Sequence, residues 1–395
     1  MNDMTLLFVI LLVIAILLRL DFVFYLVYVG VGTYALARWW TARNLPHLNV
    51  RRIYTDHAFL GQTVPVSIEI ENASWWPIPW LRIDETLSSN LSTGSPLRQV
   101  LSLRPREKTS LHYEIVGRQR GFYDLGPALL TTGDLFGFAE AQGRVARPDH
   151  LTVYPRVIPL AKVDLKSRSP YGTVKSQERI FADPARVSGK RDYQPGDPLH
   201  DIDWKSSAHG ARLQVKKYDP AVSLTTVIFL DLNKPEYGTQ LSYQASEWGI
   251  EIAASLANYL ITQRQSVGLA SNGSDPLTGA QQWVIPARGG RVHLMKLLEW
   301  LARVQLADTS PFSEWLPRAA MDLAWGTTVI VIHPSGDDAT CRTLHGLVRA
   351  GLNPILIVTE PQYQFGVLRE RARRLGFPAH LMTDERDLKR WKVTR

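Results

Sequence analysis

Two kinds of apolar pattern divide this chain. Met4 to Leu18 is an unbroken apolar run, Arg19-Leu20-Asp21 interrupts it, and Phe22 to Ala37 is a second run ending at Arg38-Trp39-Trp40. One helix through both would be about 50 Å long at ~1.5 Å per residue, far beyond a hydrocarbon core of ~30 Å. The pattern therefore predicts an N-terminal transmembrane α-hairpin over 1–40. Arg19 and Asp21 are expected in a tight turn at one interface, and Trp39 and Trp40 at the other. Arginines follow the second run and none precedes the first, which places both ends of the hairpin in the cytoplasm. A cleaved leader is disfavoured, because the start carries no basic residue and no small-residue cleavage site follows the first run.

Beyond the hairpin the period changes to two. Val64, Val66, Ile68 and Ile70 alternate with Pro65, Ser67 and Glu69, and Asn72-Ala73-Ser74 ends the run before Trp80, Leu81 and Ile83 begin another. Further strands are expected at Gln99 to Leu103, Leu111 to Val116, Leu129 to Thr132 and Leu151 to Tyr154, with turn residues between them. This spacing predicts an all-β sandwich domain over 47–160. Residues 161–189 are polar and are read as a connecting segment. From Thr225 short apolar runs alternate with helical periods. Strands are expected at Val227 to Leu230, Ser266 to Ser271, Thr327 to His333 and Pro354 to Val358. Helices are expected at Tyr243 to Gln263, Val292 to Val304, Ala339 to Ala350 and Phe365 to Leu375. Alternation of this kind predicts a doubly wound α/β domain within 190–395, so the whole chain is multi-domain.

Charge alters this picture only by location. The net charge is +8, and the basic residues gather at Arg38, Arg43, Arg51 and Arg52 and in the C-terminal stretch at Arg369, Arg371, Arg373 and Arg374. A basic cluster just after an apolar span points to a lipid membrane. No aromatic-interleaved basic groove accompanies it, so nucleic acid is not expected as a partner. The single cysteine, Cys341, excludes an internal disulfide.

The densest chemistry lies between the two soluble domains, in Arg191-Asp-Tyr-Gln-Pro-Gly-Asp-Pro-Leu-His-Asp-Ile-Asp-Trp-Lys-Ser-Ser-Ala-His-Gly-Ala-Arg212. Pro195-Gly196 reads as a turn and Asp197-Pro198 as a helix start. Leu199, Ile202 and Trp204 are expected on the apolar side of the short helix that follows, and Arg212 opens a strand. Asp197, Asp203 and Lys205 imitate the order of metal-dependent nucleases, but only five residues separate the two carboxylates. His200, Asp203 and Ser206 are the residue types of a catalytic triad, which requires that they meet in space. The favoured reading is structural: Arg191, Asp197, Asp203 and Lys205 in a local ion-pair network, with Trp204 packed in the core. Further on, Asp231-Leu-Asn-Lys-Pro235 ends the first α/β strand and resembles the start of the metal-ion-dependent adhesion motif of von Willebrand factor A domains. Asp231 matches that motif and Asn233 is a substitute oxygen donor, but Pro235 has no ligand atom. No cofactor is expected, with Mg²⁺ at Asp231 and Asn233 as the alternative, and a loop cap is the preferred role for Asp231.

The combination Arg191-x-Tyr193-x-Pro195-Gly196-Asp197, Ile202-Asp203-Trp204-Lys205 and Arg212-Leu213 resembles the signature of the bacterial domain-of-unknown-function fifty-eight family. Arg120-Gly121, Gly133-Asp-Leu-Phe-Gly137 and Val153-Tyr-Pro-Arg156 extend the resemblance. It implies a von Willebrand A-like α/β half and a partnership with MoxR-type AAA+ ATPases and other membrane proteins. The expected protein is a multi-pass resident of the bacterial inner membrane, with its soluble domains in the cytoplasm. It would be a non-enzymatic scaffold in the assembly or maturation of envelope or membrane proteins, with the signature as its contact or hinge. The alternative is a membrane-tethered metal-dependent hydrolase or nuclease using Asp197, Asp203 and Lys205.

Overall fold

A computed structural model describes residues 3–18, 21–92, 98–135, 137, 139–144, 149–160, 182–195, 197–208, 212–220, 225–238 and 242–391. Arg19, Gly196 and most of the expected connecting segment lie outside these. The chain divides into two compact units, Met1–Arg156 with Leu298–Val304, and Val157–Leu297 with Gln305–Arg395.

The first unit begins with α1 (Asp3–Leu18) packed on α2 (Asp21–Asn44). Among the described residues one helical stretch, Phe22–His47, is long and apolar enough to cross a membrane. The 16 residues of α1 span ~24 Å, less than a ~30 Å hydrocarbon core. On α2, Val27, Tyr34, Ala37 and Thr41 form a buried stripe, while Phe22, Tyr25, Leu26, Tyr28, Val29 and Leu36 remain exposed. A helix that buries a narrow stripe and exposes the rest of its apolar surface is suited to lipid.

Among the described residues eleven strands follow: β1 (Leu48–Ile53), β2 (His57–Phe59), β3 (Thr63–Asn72), β4 (Ile78–Asp84), β5 (Leu91–Ser92), β6 (Arg98–Leu103), β7 (Lys108–Gly117), β8 (Gly121–Leu125), β9 (Leu129–Gly133), β10 (Glu140–Arg144) and β11 (Asp149–Tyr154). They form sheets ordered β1-β3-β7-β5, β10-β9-β4-β6 and β2-β11-β8. Alternation does what the sequence pattern required. Val64, Val66, Ile68 and Ile70 of β3 are all buried, and Ile68 and Ile70 share a core with Ile78, Leu81 and Ile83 of β4 and Leu130 of β9. The strands that the apolar pattern does not mark, β1, β2, β5, β8 and β10, are short or rich in polar residues, such as Asn49, Arg51 and Arg52 in β1.

Arg52 is buried for a specific reason. Its guanidinium donates to Glu85 (2.8 Å), to the Leu125 carbonyl (3.2 Å) and to Asp149. Burial pushes the Glu85 carboxyl up, and Arg52 opposes that shift.

The second unit opens with a hairpin of β12 (Ala182–Asp192) and β13 (Gln214–Pro220) that encloses α3 (Trp204–Ser207). Strand β12 starts inside the stretch expected to be a linker. Next come β14 (Thr225–Leu230), α4 (Ser242–Thr262), β15 (Ser266–Ser274), β16 (Gln281–Arg288), α5 (Arg291–Arg303), α6 (Phe312–Ala319), β17 (Thr328–His333), α7 (Asp338–Arg349), β18 (Asn353–Val358), α8 (Phe365–Arg374), β19 (Ala379–Leu381) and α9 (Glu385–Arg390). The sheet order is β16-β15-β14-β17-β18-β19, parallel except for β16. Phe229, Val329, Val331, Leu356 and Val358 enter a core with Phe312, Trp315 and Leu344. Alternate residues face α4, where a Cβ on Gly249 would come within 3.3 Å of Ile332 and 3.4 Å of Leu230. Strands buried on both faces explain the continuous apolar runs.

Arg52→Ala leaves Glu85 buried without its cation. It is expected to destabilise the β-rich unit by ~3–5 kcal/mol, measured by denaturant unfolding of the detergent-solubilised protein.

Candidate functional site

Two polar constellations stand out in the second unit. One lies at the carboxyl ends of its central strands. After β14 the chain adds β15 on one side of it and later β17 on the other, so the β14/β17 boundary is a switch point, where open α/β sheets place their ligand crevice. Asp231 follows β14, His333 ends β17 and Asn272 lies in β15; all three are buried. Asp231 Oδ1 accepts from Asn272 Nδ2 (2.6 Å) and from the Asn233 N–H (3.1 Å). His333 Nε2 lies 3.3 Å from Asp231 Oδ2 and 4.0 Å from Glu236 Oε2. The Tyr237 hydroxyl donates to the Asp231 carbonyl (2.5 Å), and the Asn233 carboxamide oxygen accepts the Thr309 N–H (3.0 Å). Burial pushes the Asp231 carboxyl up, and His333 acts against that shift.

This geometry can be tested against Mg²⁺, which requires near-octahedral oxygen ligation with retained waters. Asp231 and Asn233 do not fit it. One Asp231 oxygen is committed to two N–H donors, the other faces an imidazole, and Asn233 is spent on the loop at Thr309. Among the described residues no three His, Cys, Asp or Glu side chains are grouped to hold a metal ion. The cluster joins the loop after β14 to β15 and β17. Sequence reading found Asp231 but missed Asn272, His333, Glu236 and Tyr237. The available signal was a polar residue at the end of an apolar run, which His333 and Asn272 share with Asp231.

The other constellation is the signature element, and every acidic side chain in it has a local partner. Arg191 pairs with Asp197 through both terminal nitrogens, at 2.6 and 2.7 Å, and Asp197 also accepts the Gln194 N–H at 2.9 Å. The turn closes through Asp197 N–H to the Gln194 carbonyl at 3.0 Å. Asp203 caps α3, accepting the Ser206 N–H (3.1 Å), and lies 3.0 Å from Lys190 Nζ. Arg212 pairs with Asp192 at 3.2 Å and His200 with Asp201 at 3.5 Å. Ile202 and Val215 bridge the element to the hairpin and are its buried residues. Tyr193 is half-buried, its N–H donating to the Leu213 carbonyl at 2.8 Å.

These contacts revise the expected network. Asp197 and Asp203 are clipped by different cations, and the second is Lys190, which lies just outside the recognised string. Lys205 is exposed. His200 turns to Asp201, while Ser206 contacts Asp203 directly (3.1 Å), so a nucleophile–base–orienter chain is not assembled. Asp197 does not cap a helix. The turn Leu199–Asp201 starts from Pro198 without a side-chain cap, and the capped helix starts later, at Asp203. Trp204, expected in the core, is 65% exposed, and Leu199 is 68% exposed. Among the described residues the four-residue α3 lies on a two-stranded ribbon, and Ile202, just ahead of it, is the buried apolar side chain.

The hydrogen bonds from Lys190 and the Ser206 N–H hold the Asp203 carboxyl down at about 2. A carboxyl held below its unfolded value stabilises the fold above ~4, and that contribution is lost as pH falls toward 2. In Lys190→Met the Asp203 titration midpoint, followed by carboxyl NMR, is expected to rise toward the ordinary ~3.9. The acid limb of stability should become correspondingly shallower.

Residues 189–324 match a family model described as "Protein of unknown function DUF58". A curated Bacillus subtilis relative, uncharacterized protein YeaD, is 22% identical over 260 residues, which are 65% of this chain and 62% of that protein. Among solved structures, native alpha-2-macroglobulin from Escherichia coli, spanning domain MG7 to the C-terminus, aligns with a TM-score of 0.25 and 19% identity, over 27% of this chain and 16% of that one. The trypsin-activated form aligns with a TM-score of 0.25 and 15% identity, over 40% and 9%.

Proposed function

The chain belongs to the DUF58 family, and from that premise we propose that it is a membrane-anchored scaffold whose signature element docks a MoxR-type AAA+ ATPase. The client process is the assembly or maturation of envelope or membrane proteins. In this reading α1 and α2 form a transmembrane hairpin with both ends in the cytoplasm. The eleven-strand region is a β-sandwich spacer, and the parallel sheet is a von Willebrand A-like domain held together by its own polar cluster.

One observation carries the proposal. The signature spends its charges on internal clips and turns Trp204 and Leu199 to solvent. Large apolar side chains on a short, clipped element have no folding role there, whereas a central exposed tryptophan is the usual anchor of a protein interface. Paired carboxylates also support binding over hydrolysis, because Asp197 and Asp203 are each committed to a cation and do not share a site.

The test is affinity purification of the full chain from membranes in mild detergent, with the ATPase identified by mass spectrometry. Trp204→Ala is expected to reduce recovery of the MoxR-type ATPase roughly thirtyfold, as for loss of a ~2 kcal/mol anchor, with thermal unfolding unchanged. Exchanging the clip, Arg191→Asp with Asp197→Arg, should restore binding lost in either single variant. Undiminished recovery in Trp204→Ala would reject this face as the contact.

A further inference from the structure

Trp39 and Trp40 lie in the last two turns of α2, and the loop between β3 and β4 reaches them. The Trp76 ring packs edge-on against both, with centroids 6.2 Å from Trp39 and 5.0 Å from Trp40. Its neighbour Trp75 is 72% exposed, and the Arg106 guanidinium sits 3.7 Å above its ring. Arg43 stacks over Trp39 at 4.9 Å. Three indoles and Arg43 thus gather at the end of α2, and the adjacent Trp75 carries Arg106 on its ring.

The loop is built to hold this arrangement. Asn72 is fully buried; its side-chain oxygen accepts from the Ser74 N–H (3.1 Å) and hydroxyl (2.7 Å), and its amide donates to the Trp76 carbonyl (2.8 Å) and the Arg104 carbonyl (3.0 Å). Arg106 takes a left-handed backbone, φ 58°, which a non-glycine residue adopts only when its surroundings impose it. Its N–H donates to the Ser74 carbonyl at 3.3 Å. The backbone is therefore fixed by Asn72 and Ser74, with no need of the indole of Trp75. Indoles with an apolar body and a polar N–H favour the boundary between hydrocarbon and water, and arginines there meet lipid phosphates.

We infer that the β3–β4 loop is a second membrane contact. Trp75 and Trp76 are seated in the headgroup layer of the leaflet where α2 emerges, and Arg43 and Arg106 face anionic lipid. The inference rests on reading α2 as a span and adds to it. The domain is not tethered by a helix alone but lies against the bilayer in a set orientation.

Spin-label accessibility of the full chain in vesicles tests this. Cys341, the only cysteine in the sequence, is replaced by serine, and single labels are placed at Trp75→Cys, Val29→Cys and Gln119→Cys. Position 119 follows β7, about 30 Å along the strands from the loop at ~3.3 Å per residue, and serves as the aqueous reference. The label at 75 is expected to show several-fold lower collision with a water-soluble nickel chelate than the label at 119, and less oxygen exposure than the label at 29. If 75 is as open to nickel as 119 while 29 is protected, the loop contact is wrong and the span stands. If 29 is open as well, the span reading itself fails. Adding phosphatidylglycerol to phosphatidylcholine vesicles should lower nickel access at 75 further, and Arg106→Gln should remove that difference. Indifference to lipid charge would overturn the role given to the arginines.

Discussion

The signature element depends on a division of labour among its charges. Arg191 holds Asp197, Lys190 holds Asp203 and Arg212 holds Asp192. The cations lie on or beside the two strands of one hairpin, and the carboxylates lie in the excursion between them or at its edge. Pairs this exposed add little to global stability, but they fix local geometry. With the turn at Gln194–Asp197 and the cap at Asp203 both set, Ile202 is drawn inward against Val215, and Trp204 and Leu199 are exposed. Orientation of the apolar side chains thus follows from pairing of the polar ones.

The same logic recurs with different consequences at two other places. At the switch point of the parallel sheet, Asp231 is wholly buried and answered by Asn272, the Asn233 N–H and His333, so a position that could present a carboxylate to a ligand is turned into a fastening for three strands. In the β3–β4 loop, buried Asn72 satisfies its own hydrogen-bonding groups by fixing the backbone that displays Trp75 and Trp76. In the signature element and the β3–β4 loop, polar residues with local partners leave apolar side chains exposed; at the switch point Asp231 Oδ2 and His333 Nε2 are buried without a hydrogen bond among the described residues. In the proposed reading, lipid meets one unit and a partner meets the other.

Much of this was legible in the sequence, and the omissions have physical causes. Continuous apolar runs located β14, β15, β17 and β18 because burial on both faces leaves little choice of residue. The alternation in β3 was equally plain. The antiparallel edge strand β16 was missed because it is half-exposed and carries Gln281, Gln282 and Arg288, and β19 because three residues are too few to show a period. The signature was recognised as a unit, but its interior was misread in part. The expected pairing of Arg191 with Asp197 is present, but Asp197 caps no helix, Lys190 rather than Lys205 meets Asp203, and Trp204, expected in the core because an indole is usually buried, is exposed. A linear pattern does not reveal which apolar side chains are buried where a short helix lies on a two-stranded ribbon. Partners distant in sequence, such as Asn272 and His333 for Asp231, become visible only when the strand ends are brought together.

Site-specific photocrosslinking is the most direct test of the claim that the outward face of the signature is a docking surface. A benzophenone amino acid placed at position 204 of the full chain in intact cells should, on irradiation, capture the MoxR-type ATPase as a discrete adduct, and the same group at exposed Gln119 should not. Adducts from position 204 that contain only this chain, or none above the Gln119 background, would contradict the account.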